Sequence, residues 1–291
     1  MPSRRRKIVM PELPEVETVA RTLRPQVLGR RVDGVALFRR SCVHPLSLPL
    51  ETLTGRFVAD VGRRGKVLLL HLEGPQADNL PDMLAIHLRM TGRLMVHPSD
   101  SPSGPHTRCR FALSLDGRDA GHLFFDDVRA FGVLFAGTAG LFRRWDFWRT
   151  LGPEPLALDA AGLAACLRGR RTAVKAALLN QKVIAGIGNI YADEALFRAG
   201  VDPRSPADAV ARQAAAPLLE ALQGVLRLSI EQCGSSIRDY RDANGNVGAF
   251  QNSFTVYGRA GQPCVRCGHP LERLRVAGRA TVICPQCQKR F

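Results

Sequence analysis

Four cysteines near the C-terminus have the spacing of metal ligands. Cys264 and Cys267 form one Cys-x-x-Cys pair, Cys284 and Cys287 form a second, and 16 residues separate the two pairs. Two knuckles at this spacing fold together around one tetrahedral zinc ion, and four thiolates leave no open coordination position. The alternative is two disulfides. The other four cysteines are scattered, which favours a reducing, intracellular compartment. We therefore expect one structural zinc ion and no organic cofactor.

The segment between the two cysteine pairs predicts a β-hairpin. Its sequence VAGRATVIC (276–284) has a glycine turn between two short arms. Arg279 directly follows this turn, so we expect its side chain on a short ribbon held by the metal.

A second motif, MPELPEVETV (10–19), lies near the N-terminus. From the residues alone, Pro-Glu-x-Pro-Glu is typical of a helix start, where proline fits the first turn and acidic side chains favour the helix dipole. Apolar residues then recur at spacings of three and four, at Val16, Val19, Leu23 and Val27. This pattern predicts an amphipathic helix from Glu15 to Leu28, stopped by Gly29.

The elements after this helix change from strands to helices. Short β-rich runs, VLLLHL (67–72), HLRMTGRLMVH (87–97), RFALSL (110–115) and GVLFA (132–136), predict an antiparallel sandwich or barrel. Residues 98–105 resemble a surface loop. LGPEPL (151–156) resembles an interdomain linker. Helical patterns follow at 163–167, 174–180, 190–199 and along one longer stretch to Ile230, which predict a small helical bundle.

Composition and charge limit the classes of protein and partner. The chain has 291 residues, with 45% hydrophobic and 23% charged residues. No stretch approaches the roughly 20 apolar residues of a membrane span, and MPSRRRKIV lacks the apolar segment of a secretory signal. The net charge of +15 favours a polyanionic partner. We expect a soluble cytoplasmic protein with no membrane association, and a monomer.

Three further segments complete a resemblance to a known family. HLRMTGRL (87–94), GIGNIYADEALF (186–197) and VYGRAGQPC (256–264), with the two motifs above, resemble formamidopyrimidine-DNA glycosylases, bacterial base-excision repair enzymes that remove oxidised purines. The resemblance runs from Met10 to the C-terminus. It implies damaged double-stranded DNA as partner, release of 8-oxoguanine or formamidopyrimidines, strand cleavage by β,δ-elimination, and a nucleoid-associated location.

The family resemblance also implies the architecture. It is an α+β multidomain fold, with an N-terminal antiparallel β-sandwich and flanking helix, a helical helix-two-turns-helix domain, and a C-terminal zinc ribbon. We expect a catalytic domain over 11–150, a DNA-binding domain over 151–260 and the ribbon over 261–291, with DNA in the cleft between the halves. Residues 1–10 are then an extension absent from the active protein.

The resemblance assigns four catalytic residues. Pro11 matches the N-terminal proline whose secondary amine attacks C1′, and such an amine has a usable free-base fraction at neutral pH. Glu12 matches the general acid/base, and Lys66 the lysine used in base loss and β-elimination. Arg279 matches an arginine that contacts phosphates and is assigned to δ-elimination. A guanidinium is a fixed bidentate ligand and a poor acid, so we favour a phosphate clamp.

The resemblance assigns DNA contacts as well. Four side chains match phosphate or strand contacts: His106, Arg129, Arg170 and Asn189. Met90, Arg129 and Phe131 match the side chains that fill the gap left by an everted base. From sequence pattern alone, Met90 and Phe131 would be sandwich core. Asn189 stands just before a helical pattern, where the alternative role is an N-cap, and both roles can hold together.

Two departures and two alternatives bear on this interpretation. Arg129-Ala130 stands where relatives have two arginines, and nine residues precede Met10, which would block the Pro11 amine if retained. One alternative is an endonuclease VIII-like enzyme for oxidised pyrimidines. Leu13 and the segment 239–259, which resembles a purine-recognition loop, argue against it. The other alternative is a non-catalytic zinc-ribbon DNA-binding protein.

Overall fold

The computed structural model describes residues 10–74, 80–236 and 240–291. They form two compact units. The first unit runs to Pro11 and includes Glu15–Arg149 and Cys233–Gly248, and the second comprises Glu12–Pro14, Thr150–Gln232 and Ala249–Phe291. Residues 1–9 of the predicted extension lie outside the described residues, as does Asp239 of the predicted recognition loop.

Over the described residues up to Arg149, the α-helices and strands are one long helix, eight strands and two short helices. They are α1 (Leu13–Val27), β1 (Arg31–Leu37), β2 (Phe57–Arg64), β3 (Val67–Glu73), β4 (Met83–His87), β5 (Gly92–His97), β6 (Thr107–Leu115), β7 (Arg118–Asp127), β8 (Val133–Gly137), α2 (Ala139–Arg144) and α3 (Asp146–Arg149). Two single-turn 3-10 helices lie between β1 and β2. The strands form an antiparallel sheet in the order β5-β7-β6-β1-β2-β3-β4-β8.

The sheet folds over, so that strands far apart in its order face the same core. Strands β4 and β7 are five places apart in the sheet order, yet Leu84 and Leu123 line one small apolar cavity of the core. The apolar face of α1 is buried in the same core, which confirms the predicted amphipathic helix. The helix begins at Leu13, two residues earlier than predicted, because proline is tolerated in a first turn.

Two predicted segments are divided in the structure. The run 87–97 is not one strand, because β4 ends at His87 and β5 begins at Gly92, with a turn between them. These two strands are not neighbours in the sheet, so the chain must change direction there. The long helical stretch ending at Ile230 is also two helices, since Ala214 leaves the helical conformation with φ −143°.

The second unit contains helices and a separate hairpin. Its α-helices and strands are α4 (Ala160–Leu167), α5 (Val174–Leu179), α6 (Asn189–Arg198), α7 (Ala207–Gln213), α8 (Ala215–Glu231), β9 (Glu272–Val276) and β10 (Arg279–Ile283). The hairpin β9-β10 confirms the predicted ribbon, and it turns at Ala277 and Gly278, both with positive φ. None of the helices in the described part of the chain has the length and apolar character needed to cross a membrane.

Candidate functional site

The carboxylate of Glu12 lies at the N-terminus of α6. Glu12 is only 3% exposed, and its Oε1 accepts the backbone N–H of Ile190 at 3.1 Å. The unpaired N–H groups and dipole of a helix N-terminus favour a negative charge at this place. The structure therefore places the carboxylate of the predicted acid/base against the start of α6.

Gly188 makes room for this carboxylate. A Cβ at Gly188 would lie 2.2 Å from the Glu12 carboxyl carbon, so a residue with a side chain would displace it. Next to it, the backbone N–H of Leu13 donates to the Gly186 carbonyl at 3.0 Å. The segment GIGN (186–189) thus packs directly against Glu12 and Leu13.

Asn189 and Arg279 are joined through the ribbon hairpin. Asn189 is the first residue of α6, and its Nδ2 donates to the carbonyl of Ala280 at 3.0 Å. Arg279, the preceding residue, is exposed at the start of β10. The alternative role of Asn189 as an N-cap is wrong, because Gly188 occupies the N-cap position. Glu12, Asn189 and Arg279 therefore surround the start of one helix.

A buried ion pair supports the same hairpin, and the sequence did not reveal it. The Nζ of Lys175 on α5 lies 2.6 Å from Asp193 Oδ1 on α6 and 2.7 Å from Thr281 Oγ1 on β10. The side chains of Lys175 and Asp193 are 0% and 1% exposed. Burial raises the pKa of Asp193 to about 6 and lowers that of Lys175, and the attraction between the two charges opposes both shifts.

Glu194, next to Asp193, holds a second segment. Its buried carboxylate accepts the backbone N–H groups of Thr255, Val256 and Tyr257, at 2.8 to 3.1 Å. Val256 and Tyr257 begin the VYGRAGQPC motif, and Thr255 directly precedes it. The two acidic residues of GIGNIYADEALF are therefore both internal supports, one for the hairpin and one for the segment that leads to the first cysteine pair.

The four predicted metal ligands converge. The Sγ atoms of Cys264, Cys267, Cys284 and Cys287 all lie within 4.8 Å of one another, and they are the group found among the described residues that could hold a metal ion. Thiolates at about 2.3 Å from a tetrahedral zinc ion stand about 3.8 Å apart. The distances of 3.9 Å from Cys264 to Cys287 and 3.4 Å from Cys267 to Cys284 fit this geometry. The cluster fits one structural zinc ion.

The three predicted gap-filling side chains meet in the first unit. The guanidinium carbon of Arg129 lies 4.8 Å from the centre of the Phe131 ring, and Arg129 Nη1 is 3.3 Å from the sulfur of Met90. Phe131 is 51% exposed and Met90 is partly buried. Pattern alone would have put both in the core, and this is wrong because both side chains stand on turns outside the strands. We call Met90, Arg129 and Phe131 the wedge group.

Pro11 and Lys66 are also buried in the first unit. Lys66 lies in the Gly65-Lys66 turn between β2 and β3, one residue before β3 begins.

His87, at the end of β4, is 4% exposed and its Nδ1 accepts the N–H of Arg89. Burial, with the charges of Arg89 and Lys66, lowers the pKa of His87 to about 3. His87 is thus a neutral acceptor at the base of the Met90 turn.

The two remaining predicted contacts, His106 and Arg170, are both exposed. His106 is exposed before β6, and its carbonyl accepts the N–H of Asp127 at 2.9 Å, next to the Arg129 turn. Arg170 is exposed after α4, where its Nε donates to the carbonyl of Cys166 at 2.7 Å. Both side chains are accessible to a ligand.

The buried charged residues that sequence reasoning missed include Asp127, Lys175, Asp193 and Glu194. One signal was available, since the motif DDVRAFG has an aspartate at a turn, where its carboxylate often bonds backbone N–H groups two residues on. The other three carry no local signal, because their partners are 18 to 106 residues away in the chain.

Comparisons with known proteins cover nearly the whole chain. Residues 10–134 match the formamidopyrimidine-DNA glycosylase N-terminal domain, residues 151–241 match the H2TH domain of the same enzymes, and residues 261–290 match a zinc finger found in FPG and IleRS.

Three proteins illustrate the similarity. The formamidopyrimidine-DNA glycosylase of Nitratidesulfovibrio vulgaris is 42% identical over 96% of this chain and 100% of its own length. A crystal structure of the MutM (FPG) protein from Thermus thermophilus has a TM-score of 0.82 at 42% identity, over 97% of this chain and 100% of that chain. A structure of MutM in complex with DNA containing carbocyclic 8-oxo-G has a TM-score of 0.83 at 33% identity, and the match covers 96% of this chain and 100% of that chain.

Proposed function

The chain belongs to the formamidopyrimidine-DNA glycosylase family, and from this premise we propose that it releases oxidised purines from duplex DNA and cleaves the strand at the resulting abasic site. The substrates are 8-oxoguanine and formamidopyrimidines. The observation that supports this most strongly is the buried Glu12 carboxylate at the N-terminus of α6, beside the Asn189 side chain that holds the Arg279 hairpin.

The proposed chemistry begins at Pro11. Its secondary amine attacks C1′ of the damaged nucleotide, the bond from C1′ to the base breaks, and the base leaves with the electron pair and gains a proton. The sugar ring opens, its oxygen takes a proton, and an iminium joins Pro11 to C1′. This step requires a free amine at Pro11, so residues 1–10 must be absent from the active form.

The iminium then serves as an electron sink for strand cleavage. Loss of a proton from C2′ expels the 3′ phosphate oxygen, and loss of a proton from C4′ expels the 5′ phosphate oxygen. Water then releases the sugar fragment and regenerates the amine. We propose that Glu12 exchanges the protons of the first stage and that Lys66 acts in base loss and β-elimination. Glu12 follows Pro11 directly, so the two groups reach the same sugar.

The remaining side chains are proposed to hold the DNA. Arg279 and Asn189 would bind phosphates near the lesion, His106 and Arg170 would contact the strand further away, and the wedge group would fill the gap left by the everted base. The zinc ion supports the hairpin that carries Arg279 and takes no part in the reaction. We propose a bacterial cytoplasmic location, bound to the nucleoid, which the net charge of +15 and the bacterial relatives support.

Glu12→Gln tests this assignment in the protein that begins at Pro11. The variant should bind an 8-oxoguanine duplex normally while base release falls by about 10²-fold or more, because the shape is kept and the proton-transfer group is lost. Glu17→Gln is the control, since Glu17 lies five residues later in the chain, on α1, and bonds Arg21 and Arg63 instead. Single-turnover base release by the Glu12 variant at the wild-type rate would remove Glu12 from the mechanism.

A further inference from the structure

The wedge group stands on two turns that need support. Met90 lies on the turn 88–91 between β4 and β5, and Arg129 and Phe131 lie on the turn 128–132 between β7 and β8. Each turn contains a residue other than glycine in the left-handed region, Arg89 with φ 53° and Ala130 with φ 53°. Such conformations persist only where surrounding contacts determine them.

One buried carboxylate bonds to both turns. Asp127, the last residue of β7, is 1% exposed. Its Oδ1 accepts the Thr91 hydroxyl from the first turn and the N–H of Arg129 from the second, at 3.2 Å. Its Oδ2 accepts the N–H of Gly132 at 2.7 Å. Within the described residues, one hydroxyl and two backbone N–H groups thus donate to this carboxylate.

The backbone of Asp127 is held as firmly as its side chain. Its N–H donates to the carbonyl of His106 at 2.9 Å, and its carbonyl accepts Arg108 Nε at 2.7 Å and the N–H of Ala130 at 3.3 Å. These hydrogen bonds fix the backbone position from which the Asp127 side chain extends. Since Thr91 Oγ1 also accepts the N–H of Arg129 at 3.1 Å, the two turns are joined by a small closed network.

We propose that Asp127 is a positioning residue for base eversion, which it serves by holding Met90, Arg129 and Phe131 as one preformed wedge. The inference rests on the proposed function. Filling a base-sized gap with three side chains on separate mobile turns would require ordering them during eversion. A network that orders them beforehand removes that requirement.

Asp127→Asn tests this proposal. Whichever way the amide turns, its NH₂ group faces a backbone donor, either Gly132 or Arg129, so one side of the network is lost. We expect release of 8-oxoguanine from an intact duplex to slow on the order of ten- to a hundredfold. Cleavage at a preformed abasic site, where no base must be everted, should stay within about threefold of wild type.

The control is the neighbouring carboxylate. Asp126→Asn removes the same charge from the same strand, but Asp126 accepts from Thr107 at 2.7 Å and bonds neither turn. It should behave as wild type on both substrates. Thr91→Val is a milder second variant should Asp127→Asn fail to fold, and its base release should fall about threefold or more with abasic cleavage kept.

Fluorescence of 2-aminopurine beside the lesion separates eversion from chemistry. Eversion should be slow in Asp127→Asn and normal in Glu12→Gln, although both variants release base poorly. Wild-type base release by Asp127→Asn, equal loss on both substrates, or a normal eversion signal would overturn the inference. Wild-type protein that neither releases 8-oxoguanine nor cleaves an abasic site would instead contradict the proposed function.

Discussion

Two arginines of this protein, Arg129 and Arg279, stand on turns that are held in different ways. The turn of Arg129 is held from within, because Asp127 two residues earlier bonds the turn's own N–H groups. The hairpin of Arg279 is held from outside, by Lys175 and Asn189, which lie 104 and 90 residues earlier in the chain, and by the cysteine cluster. A turn whose N–H groups bond a carboxylate in the same segment is ordered by local contacts. A two-stranded ribbon is marginally stable alone, so its order depends on contacts with residues far away in the chain.

This difference predicts that each turn can lose its ordered conformation while the other keeps it. Loss of the metal or of the buried ion pair should disturb the Arg279 hairpin and leave the wedge group ordered. Loss of the Asp127 carboxylate should do the reverse. The following variants test that separation.

The largest effect is expected at the metal site. Cys284→Ser removes one thiolate, so the zinc content should fall from about one per chain toward zero and the β9-β10 hairpin should lose protection from hydrogen exchange. Residues 88–91 and 128–132 should keep wild-type protection. Cys166→Ser, outside the cluster, is the control. Wild-type protection of the β9-β10 amides in zinc-free protein would contradict the assignment.

The next effect concerns the buried ion pair. Lys175→Met should lower the free energy of unfolding by about 3–5 kcal/mol, because it leaves Asp193 buried without its partner. Replacing Asp193 with Leu as well should recover most of this loss, since two apolar side chains carry no desolvation penalty. Urea unfolding measures both variants, and Lys182→Met at an exposed position should change stability by less than about 0.5 kcal/mol. If Lys175→Met alone were as stable as wild type, the ion pair would not support the hairpin.

The same contrast explains what the sequence could predict. The cysteine spacing, the Ala-Gly turn and the α1 periodicity are local patterns, and the structure confirms the metal cluster, the hairpin and the helix. Lys175 and Asp193 were missed because a charged residue in a helix ordinarily faces water, and only the folded chain shows that these two are buried against each other. The family resemblance predicts that Met90 and Phe131 contact DNA, whereas hydrophobicity alone would have assigned both to the core.

The smallest effect separates a phosphate clamp from a proton donor at Arg279. Arg279→Ala should weaken binding of lesion-containing and undamaged duplex alike, and the plot of log affinity against log salt should lose roughly 0.9 unit of slope, the contribution of one phosphate contact. Arg129→Ala should instead mainly slow base release, because Arg129 packs on Phe131 and Met90. An unchanged salt slope for Arg279→Ala, with product that stalls after β-elimination, would favour the proton-donor role.

The central claim is that the amine of Pro11 forms the covalent link to DNA, and borohydride trapping tests it most directly. Hydride reduces the iminium to a stable amine, so protein beginning at Pro11, incubated with an 8-oxoguanine duplex and borohydride, should give a one-to-one adduct. Mass spectrometry of its peptides should place the DNA on the N-terminal nitrogen of Pro11. The chain that retains residues 1–10 should give no adduct. Equal trapping by both forms, or an adduct on Lys66, would contradict the account.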